Sequence, residues 1–316
     1  MNIGIDMMGG DFAPLEAVKA LKLYLSESTT PANLFLIGDQ DKFLPMLSEE
    51  GLDATQFKIV HAPQVIEMNE HPTKALKEKQ QSSIAIGFYL LSNGKIDAFI
   101  SAGNTGAMLV GTMYTIKAIE GVLRPTIATI IPKENGGTGL LLDVGINADC
   151  KPENLQQFGV LGALYAKHVL GIEAPRVGLV NIGEEEGKGN LLAQAAYPLL
   201  KETTSINFVG NIEGRDIFQD KSDVMVCEGF TGNVILKMAE SLYDLAQARQ
   251  LKDAYFDRFN FEIYGGTPVL GVSKPVIIGH GISHALAFKN MILLSEKMIE
   301  SQLPEKIKSA FQSVNT

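Results

Sequence analysis

Apolar runs with the length of β-strands alternate with helical patterns along the whole of this 316-residue chain. The first run, NIGID at 2–6, precedes a stretch whose apolar residues Leu15, Val18, Leu21 and Leu25 recur with the period of one helix face. Strands that alternate with helices favour parallel βαβ units in a sheet that is covered on both faces. The sequence therefore predicts an α/β fold with a mostly parallel sheet and helices on both faces.

One pair of predicted strands departs from this alternation. The segments PTIATIIP (125–132) and GLLLDVGIN (139–147) are separated only by a glycine-bearing loop, which predicts an antiparallel hairpin. A single helix is predicted from about 72 to 91. The chain shows no internal repeat and no low-complexity linker, so we interpret residues 1–316 as one unit of two interlocked lobes.

Composition excludes several classes of protein. The net charge of −9 disfavours general nucleic-acid binding, because phosphate contacts require a basic surface. Cys150 and Cys227 are far apart and in no motif, which argues against a disulfide scaffold, a zinc site and a secreted protein. No signal peptide is visible and no apolar run reaches the roughly 18 residues of a spanning helix. We expect a cytoplasmic protein, with peripheral membrane contact left open.

Six of the predicted strands end in turns that are rich in glycine and amide side chains. Ligands of open parallel sheets bind beyond the carboxyl ends of the strands, so we expect these turns to converge on one crevice. Glycine lets backbone N–H groups approach a ligand closely, and helix N-termini favour an anion. Asp6 and Asp11 flank two glycines after the first strand, where they either shape that loop or take part in the chemistry. The six turns are SAGNTG (101–106), DVGIN (143–147), NIGEEEGKGN (181–190), GNIEGR (210–215), CEGFTGN (227–233) and GHGIS (279–283).

None of these turns is a nucleotide-binding motif. In GEEEGKGN, Lys188 is followed by Gly189 rather than by the Ser or Thr of a phosphate loop. A phosphate-sized anion therefore fits better than a nucleotide, and the missing dinucleotide fingerprint argues against a dehydrogenase. Glu184, Glu185 and Glu186 precede the lysine, and they either pair with it or repel the wrong anions. The sequence does not decide between these two interpretations.

Individual residues on the turns are the candidate site residues. Lys188 is predicted to direct its ammonium group at a phosphate, and Asn233 either caps a helix or donates to a developing oxyanion. Cys227 is interpreted as a small buried core residue. His280 is an anion-site or acid–base candidate, and His284 is expected to face the same side of a helix. The other predicted phosphate or substrate contacts are Ser101, Gly103, Asn104, Thr105, Gly106, Asn147, Gly187, Gly189, Asn190, Thr231 and Gly232.

With these residues in view, the chain resembles the phosphate acyltransferases of bacterial phospholipid synthesis (the PlsX type) over essentially its whole length. The resemblance implies a fold like those of phosphotransacetylases and isocitrate-dehydrogenase-like enzymes. It also implies that inorganic phosphate attacks the thioester of a fatty acyl-acyl carrier protein to give acyl phosphate. The lysine and asparagine that matter in the family fall on Lys188 and Asn233. The motifs that carry the resemblance are GIDMMGGDFAP, FISAGNTGAM, LLLDVGINADCKPENLQQF, APRVGLVNIGEEEGKGN, FVGNIEGRD, CEGFTGNVILK and YGGTPVLGV followed by GHG.

The same resemblance implies partners and cofactors. Its members are homodimers that require no metal and no organic cofactor, and they contact the membrane peripherally. A membrane glycerol-3-phosphate acyltransferase then consumes the acyl phosphate. The family commonly has a long helical segment where this chain has a short one at 241–262. That segment carries Arg249, Lys252 and Arg258, which we predict as a basic landing site for an acidic carrier protein.

Two other functions stay open. One is a phosphotransacetylase-like enzyme that uses acyl-coenzyme A and short acyl groups. The other is a non-enzymatic scaffold that binds the carrier protein near the membrane. Phosphate is already a competent nucleophile, so an acyl transfer to it requires no Ser–His–Asp arrangement. It requires an anion site, donors for the oxyanion and exclusion of water.

Overall fold

The computed structural model describes residues 1–312 of the chain. Its strands, in chain order, are β1 (Asn2–Asp6), β2 (Asn33–Gly38), β3 (Lys58–His61), β4 (Ala98–Ser101), β5 (Thr126–Pro132), β6 (Thr138–Leu142), β7 (Arg176–Asn181), β8 (Asn207–Glu213), β9 (Val224–Val226), β10 (Thr267–Leu270) and β11 (Val276–Ile278). Its α-helices are α1 (Leu15–Glu27), α2 (Gln40–Glu49), α3 (Pro72–Glu78), α4 (Ser83–Ser92), α5 (Thr105–Gly111), α6 (Pro152–His168), α7 (Leu191–Glu202), α8 (Gly229–Ala248), α9 (Ala254–Asp257), α10 (Ala285–Glu300) and α11 (Leu303–Gln312).

The chain folds into two compact units. Unit 1 comprises residues 1–118 and 261–304, and unit 2 comprises residues 119–260 and 305–312. Each unit is assembled from two separate stretches of sequence. The two lobes are therefore interlocked along the chain, as predicted.

Unit 1 is built on a mostly parallel sheet with the strand order β3-β2-β1-β4-β11-β10. Its strand pairs are parallel except for β10 and β11, which run antiparallel. The four residues of β4 are all buried, and both α4 and α10 pack on this strand. A strand that is buried along its whole length belongs to a sheet covered on both faces. The predicted fold class is confirmed in this unit.

Unit 2 has the strand order β5-β6-β9-β7-β8. β5 and β6 pair antiparallel, with Ala128 opposite Leu142, and the remaining pairs are parallel. The predicted hairpin is therefore confirmed. Helix α6 packs on β9 and on α7, and Gly162 of α6 lies against side chains of β6 and β9. The missing Cβ at this glycine allows the helix to approach the sheet closely.

The single helix predicted from 72 to 91 is wrong, because the chain forms α3 and α4 with a break between them. Lys79 is the residue that follows α3, and its ammonium group donates to the Val65 carbonyl at 2.7 Å and to the Glu70 carboxylate at 2.6 Å. Ser82 starts α4 by accepting the N–H of Ala85 at its hydroxyl oxygen. Residues 77–83 are all polar and end in the helix-capping residue type serine, so the break did have a signal in the sequence.

The segment at 241–262 consists of the end of α8 and the chain that follows it. α8 extends to Ala248, so the first part of the segment is the end of a 20-residue helix. A loop and the one-turn helix α9 follow it. Among residues 1–312, no helix combines the length and the hydropathy that spanning a membrane requires.

Candidate active site

The turn that follows β6 is organised by the carboxylate of Asp143. One of its oxygens accepts the N–H groups of Gly145 at 2.8 Å and Ile146 at 3.1 Å, and the other accepts the backbone N–H of Asn147 at 3.0 Å. Burial raises the pKa of Asp143, and these hydrogen bonds oppose the shift. The Asn147 amide donates to Asp143 and to the Pro125 carbonyl. Asn147, predicted to contact substrate, therefore uses its side chain to hold the turn.

Helix α8 begins directly against this turn because of two glycines. A Cβ on Gly229 would lie 2.9 Å from the backbone of Asn147. A Cβ on Gly232 would overlap the carbonyl oxygen of Asp143. The two glycines of GFTG lie on the same face of the helix and carry no side chains. The DVGIN turn can therefore pack directly against the helix backbone on that face.

Asn233 lies in the same helix and contacts the turn through its side chain. Its amide nitrogen donates to the Val144 carbonyl at 3.1 Å. The side chain is exposed, and a primary amide carries a second N–H donor. Asn233 therefore presents a donor that is anchored by the turn, which is the arrangement that an oxyanion requires.

The N-terminus of α8 is capped by Glu228, a residue that the sequence predictions omitted. Its carboxylate accepts the N–H groups of Phe230 at 2.6 Å and Thr231 at 3.0 Å, and also the Thr231 hydroxyl. The prediction that Asn233 caps this helix is wrong, because the chain is already helical at Gly229. An acidic residue directly before the helix was the available signal. Thr231, predicted to contact phosphate, gives its donors to Glu228.

Asn181, at the end of β7, holds the turn that carries Lys188. Its side-chain oxygen accepts the N–H of Ile182 at 2.8 Å, and its amide donates to the Lys188 carbonyl at 3.1 Å. The same amide donates to the side chain of Asn211 on β8. Gly189 has a φ of +96°, and a Cβ there would overlap the Asn181 side chain, so this position requires glycine. Asn181 and Asn211 were missed, although both lie in amide-containing turn motifs.

Lys188 is exposed and, within residues 1–312, makes no ion pair. Two of the glutamates that precede it are paired with other lysines. Glu184 lies 2.6 Å from Lys221, and Glu186 lies 3.1 Å from Lys201. The interpretation that these glutamates neutralise Lys188 is therefore wrong. The ammonium group of Lys188 is therefore accessible to an anionic ligand.

An open cleft of about 410 Å³ lies at the carboxyl ends of β7 and β9 in unit 2. The turns at 181–190 and 227–231 line it. Gly189, Asn190 and Thr231 are among the lining residues, and Asn190 also caps α7 by accepting the N–H of Ala193 at 2.9 Å. Lys188 and Asn233 are not among them, and Gly187 has open space around it.

The turns of unit 1 form a second cluster, at the carboxyl ends of β1, β4 and β11. The buried carboxylate of Asp6 accepts the Ser101 hydroxyl at 2.7 Å, and the N–H of Gly279 donates to the Ser101 carbonyl at 2.8 Å. Burial raises the pKa of Asp6, and its hydrogen bonds oppose the shift. The turns at 101–106 and 279–283 therefore meet, as predicted. A single crevice for all six turns stays a prediction.

The other predicted residues of the first turn serve its structure. Asn104 caps α5 by accepting the N–H of Ala107 at 2.9 Å, and its amide donates to the carbonyl of Glu67. The N–H of Gly103 donates to the Ser101 hydroxyl oxygen at 2.9 Å. Thr105 and Gly106 are the first two residues of α5, and a Cβ on Gly106 would overlap the ring of Pro72.

The two histidines do not share a helix face, contrary to prediction. Helix α10 begins only at Ala285, so His280 lies in the loop before it and His284 is the residue that precedes the helix. The His280 ring lies 4.5 Å from the Phe261 ring, centroid to centroid. The His284 ring stacks on Phe12 at 4.6 Å.

The basic residues of the 241–262 segment differ in their surroundings. Arg249 and Lys252 are exposed. Arg258 donates from its guanidinium to the carbonyls of Lys133 at 3.1 Å and Gly137 at 2.6 Å, and so braces the β5–β6 hairpin. A carrier-protein contact therefore has to compete with these bonds at Arg258.

Cys227 is buried and its sulfur donates to the Asp143 carbonyl, so the prediction of a core residue is confirmed. Within residues 1–312, no group of three or more His, Cys, Asp and Glu side chains is placed to hold a metal ion.

Solved structures show which class of fold this is. The chain is similar to a phosphotransacetylase from Streptococcus pyogenes with a TM-score of 0.68 and 16% sequence identity, covering 95% of this chain and 94% of that one. It is also similar to a branched-chain phosphotransacylase from Enterococcus faecalis V583, with a TM-score of 0.64, 14% identity and coverage of 95% and 99%. The fold is therefore that of the phosphotransacylases.

Sequence comparison shows the family. Residues 1–254 match the family model described as fatty acid synthesis protein. The chain is 43% identical to the phosphate acyltransferase of Pelotomaculum thermopropionicum over 333 residues, covering 99% of this chain and 96% of that protein. It is 42% identical to the phosphate acyltransferase of Aquifex aeolicus over 328 residues, covering 97% and 96%. The chain belongs to the phosphate acyltransferase family and is an acyltransferase enzyme of lipid synthesis.

Proposed function

We propose that this enzyme transfers the acyl group of a fatty acyl-acyl carrier protein to inorganic phosphate. A phosphate oxygen attacks the thioester carbonyl carbon and forms a C–O bond, and the resulting tetrahedral intermediate collapses with cleavage of the C–S bond. The carrier leaves as a thiolate, which takes a proton from solvent, and the product is acyl phosphate. Phosphate at neutral pH is an anionic nucleophile, so the reaction requires no general base. It requires that the enzyme position the phosphate and stabilise the negative charge of the transition state.

The observation that carries this proposal is the unpaired charge of Lys188. Two neighbouring glutamates are engaged by Lys221 and Lys201, so the ammonium group stands beside three carboxylates and yet makes no ion pair. A cation that is held free on a turn of fixed shape is suited to bind an oxyanion. We assign Lys188 to the attacking phosphate.

Asn233 is assigned to the oxyanion of the tetrahedral intermediate. One N–H of its amide is anchored on the Val144 carbonyl at 3.1 Å, which orients the second N–H. A donor that is oriented before the reaction stabilises the transition state without reorganising at the moment of attack.

The proposal includes a cellular setting that the family resemblance implies. The enzyme acts in the cytoplasm as a homodimer, in peripheral contact with the membrane. A membrane glycerol-3-phosphate acyltransferase consumes the acyl phosphate, which is a reactive mixed anhydride. No metal or organic cofactor has a step in this reaction.

Trapping of the product with hydroxylamine tests the proposal. The purified enzyme is incubated with hexadecanoyl-acyl carrier protein or hexadecanoyl-coenzyme A, each with and without inorganic phosphate. We expect acyl hydroxamate that depends on phosphate and forms faster from the carrier protein. Faster turnover of the coenzyme A thioester would favour the phosphotransacetylase-like alternative. Hydroxamate that never exceeds the phosphate-free control would favour the non-enzymatic scaffold.

A further inference from the structure

Unit 1 carries an open groove of about 450 Å³ that is separate from its turn cluster. Helices α3, α4 and α5 and the π-helical turn at Thr112–Ile116 form its walls. The residues that line it are mainly apolar or aromatic, and they include Leu76, Phe88, Tyr89 and Tyr114. A concave apolar surface of this kind on an enzyme is a place where a partner inserts a side chain.

The rim of the groove exposes the residue types that dominate protein interfaces. Tyr89 is 64% exposed and Tyr114 is 74% exposed. Aromatic residues are enriched at protein–protein interfaces, and tyrosine is one of the residue types that contribute most to their binding energy. Their exposure here has no explanation within the fold of unit 1.

The charge of the groove is opposite to that of the protein. The whole chain has a net charge of −9, but no Asp or Glu lines the groove, and α4, α5 and the π-helical turn contain no charged residue. Lys77 lines the groove, and Lys74 lies one turn earlier on α3. Both lysines are exposed and, within residues 1–312, make no ion pair. The surface is complementary to an acidic partner.

The groove is also close to the first turn cluster along α5. This helix starts at Thr105, directly after the turn that Ser101 begins, and Val110 and Gly111 at its other end line the groove. Seven helical residues span about 10 Å. A partner seated in the groove is therefore about one short helix away from the 101–106 turn.

We infer that this groove docks the acyl carrier protein, with an apolar side chain of the carrier in the groove and its acidic residues against Lys74 and Lys77. The inference rests on the proposed function and adds to it the surface that receives the protein substrate. It places the docking contact on unit 1 rather than at Arg249 and Lys252. The two locations make opposite predictions for charge reversal.

A double variant tests the docking surface. The double variant Lys77→Glu, Tyr114→Ala changes two exposed side chains. Its circular dichroism spectrum and its thermal unfolding curve should therefore match those of the wild-type enzyme. We expect the Kd for hexadecanoyl-acyl carrier protein, from isothermal titration calorimetry, to rise at least tenfold. The KM for the carrier should rise in parallel, while the KM for phosphate stays unchanged. The affinity should weaken further when the NaCl concentration is raised.

Two controls and four contrary results make the test decisive. Lys58→Glu reverses an exposed charge on β3 of the same unit, and Arg249→Glu with Lys252→Glu reverses the other basic site; both should bind the carrier normally. The inference is overturned if the groove variant binds the carrier normally, or if the Arg249 and Lys252 variant loses binding instead. It is also overturned if the groove variant loses only its affinity for anionic phospholipid vesicles, or only its self-association.

Failure of the inference and failure of the proposed function give different results. If the unchanged enzyme makes acyl phosphate from the carrier and the groove variant has normal Kd and KM, the groove assignment fails and the function stands. If the unchanged enzyme binds the carrier through the groove but forms no acyl phosphate, the docking surface stands and the function fails.

Discussion

Each unit places a buried aspartate at the end of a strand, but the two carboxylates organise their surroundings differently. Asp6 accepts the hydroxyl of Ser101, which belongs to another strand, and so joins two turns. Asp143 takes its hydrogen bonds from the residues that immediately follow it, and so shapes one turn. Helix α8 then packs on that turn through Gly232.

The two clusters of turns also differ in whether they contain a positively charged side chain that could bind phosphate. The unit 1 turns at 101–106 and 279–283 contain no lysine, and the Ser101 hydroxyl is engaged by Asp6. Unit 2 adds to its turns an exposed lysine without an ion pair. We therefore assign the stabilisation of phosphate charge to unit 2. Variants that break either cluster sharpen this comparison.

The largest effect is expected on turnover when Lys188 is replaced by alanine. Loss of one preorganised group that stabilises transition-state charge lowers kcat/KM by about 10²–10³. Thermal unfolding should not change, because Lys188 makes no ion pair. Lys201→Ala is the matched control, since Lys201 pairs with Glu186 and exposed pairs contribute about 1 kcal/mol or less. Equal losses in the two variants, measured as phosphate-dependent hydroxamate formation, would refute the assignment.

The next effect concerns the packing of α8 on the DVGIN turn. Gly232→Ala puts a Cβ on the Asp143 carbonyl oxygen, so the helix start has to move. We expect the free energy of unfolding in urea to fall by about 1–3 kcal/mol. Gly214→Ala is the control, because a Cβ at Gly214 meets nothing within 4 Å. Similar unfolding curves for the two variants would show that α8 does not pack on this turn.

The variant Ser101→Ala tests the hydrogen bond from the Ser101 hydroxyl to the Asp6 carboxylate, which joins two turns of unit 1. A buried carboxylate that loses one donor destabilises the fold by about 1–3 kcal/mol. Because burial raises the pKa of Asp6 from 3.8, the folded chain binds more protons than the unfolded chain above that pH, and stability falls as pH rises through the raised value. Removing the hydroxyl raises the pKa further and steepens this fall.

Urea unfolding between pH 4 and pH 7 measures that difference. Ser26→Ala is the control, since the Ser26 hydroxyl bonds only to the Leu23 carbonyl on the exposed side of α1. The Ser101 variant should lose more stability at pH 7 than at pH 4. A loss that is the same at both pH values would argue against a hydrogen bond to the Asp6 carboxylate.

The smallest effect is a slow reaction of the two thiols of unit 2. Burial, together with the negative charge of Asp143, raises the pKa of Cys150 to about 11, and burial raises the pKa of Cys227 well above its ordinary value. At pH 8 only about 0.1% of a thiol with such a pKa is thiolate, so alkylation by iodoacetamide should be slow in the folded enzyme. Both thiols should react after unfolding in urea. Rapid modification of Cys150 in the folded enzyme would mean that the chain after the DVGIN turn is open.

Most of the architecture could be predicted from the sequence, because periodicity reports burial. The alternation of strand and helix patterns gave the α/β class, and the loop between 132 and 139 gave the antiparallel hairpin. The break at 79–82 was missed because the prediction joined two apolar stretches across the polar run at 77–83. Ser82 starts α4 there by a side-chain to backbone bond, which depends on residue type rather than on hydrophobic periodicity.

The turns that form the candidate site could be predicted from the sequence, but the hydrogen-bond and ion-pair partners of its side chains could not. Lys188 and Asn233 could be singled out from their positions among glycines. The hydrogen-bond partners depend on which donors lie within reach after folding. For this reason the sequence did not show that Glu228 caps α8 and accepts from Thr231, or that Asn147 holds its own turn. The sequence left open whether the glutamates pair with Lys188, because Lys201 and Lys221 lie 15 and 37 residues from their partners.

Phosphate binding at equilibrium tests the central claim most directly, because it does not depend on the acyl donor. Isothermal titration calorimetry with inorganic phosphate should show one site per chain for the unchanged enzyme and for Lys201→Ala. For Lys188→Ala we predict an affinity at least tenfold weaker. Phosphate binding that is as tight in Lys188→Ala as in the unchanged enzyme would contradict the assignment of the anion to the 181–190 turn.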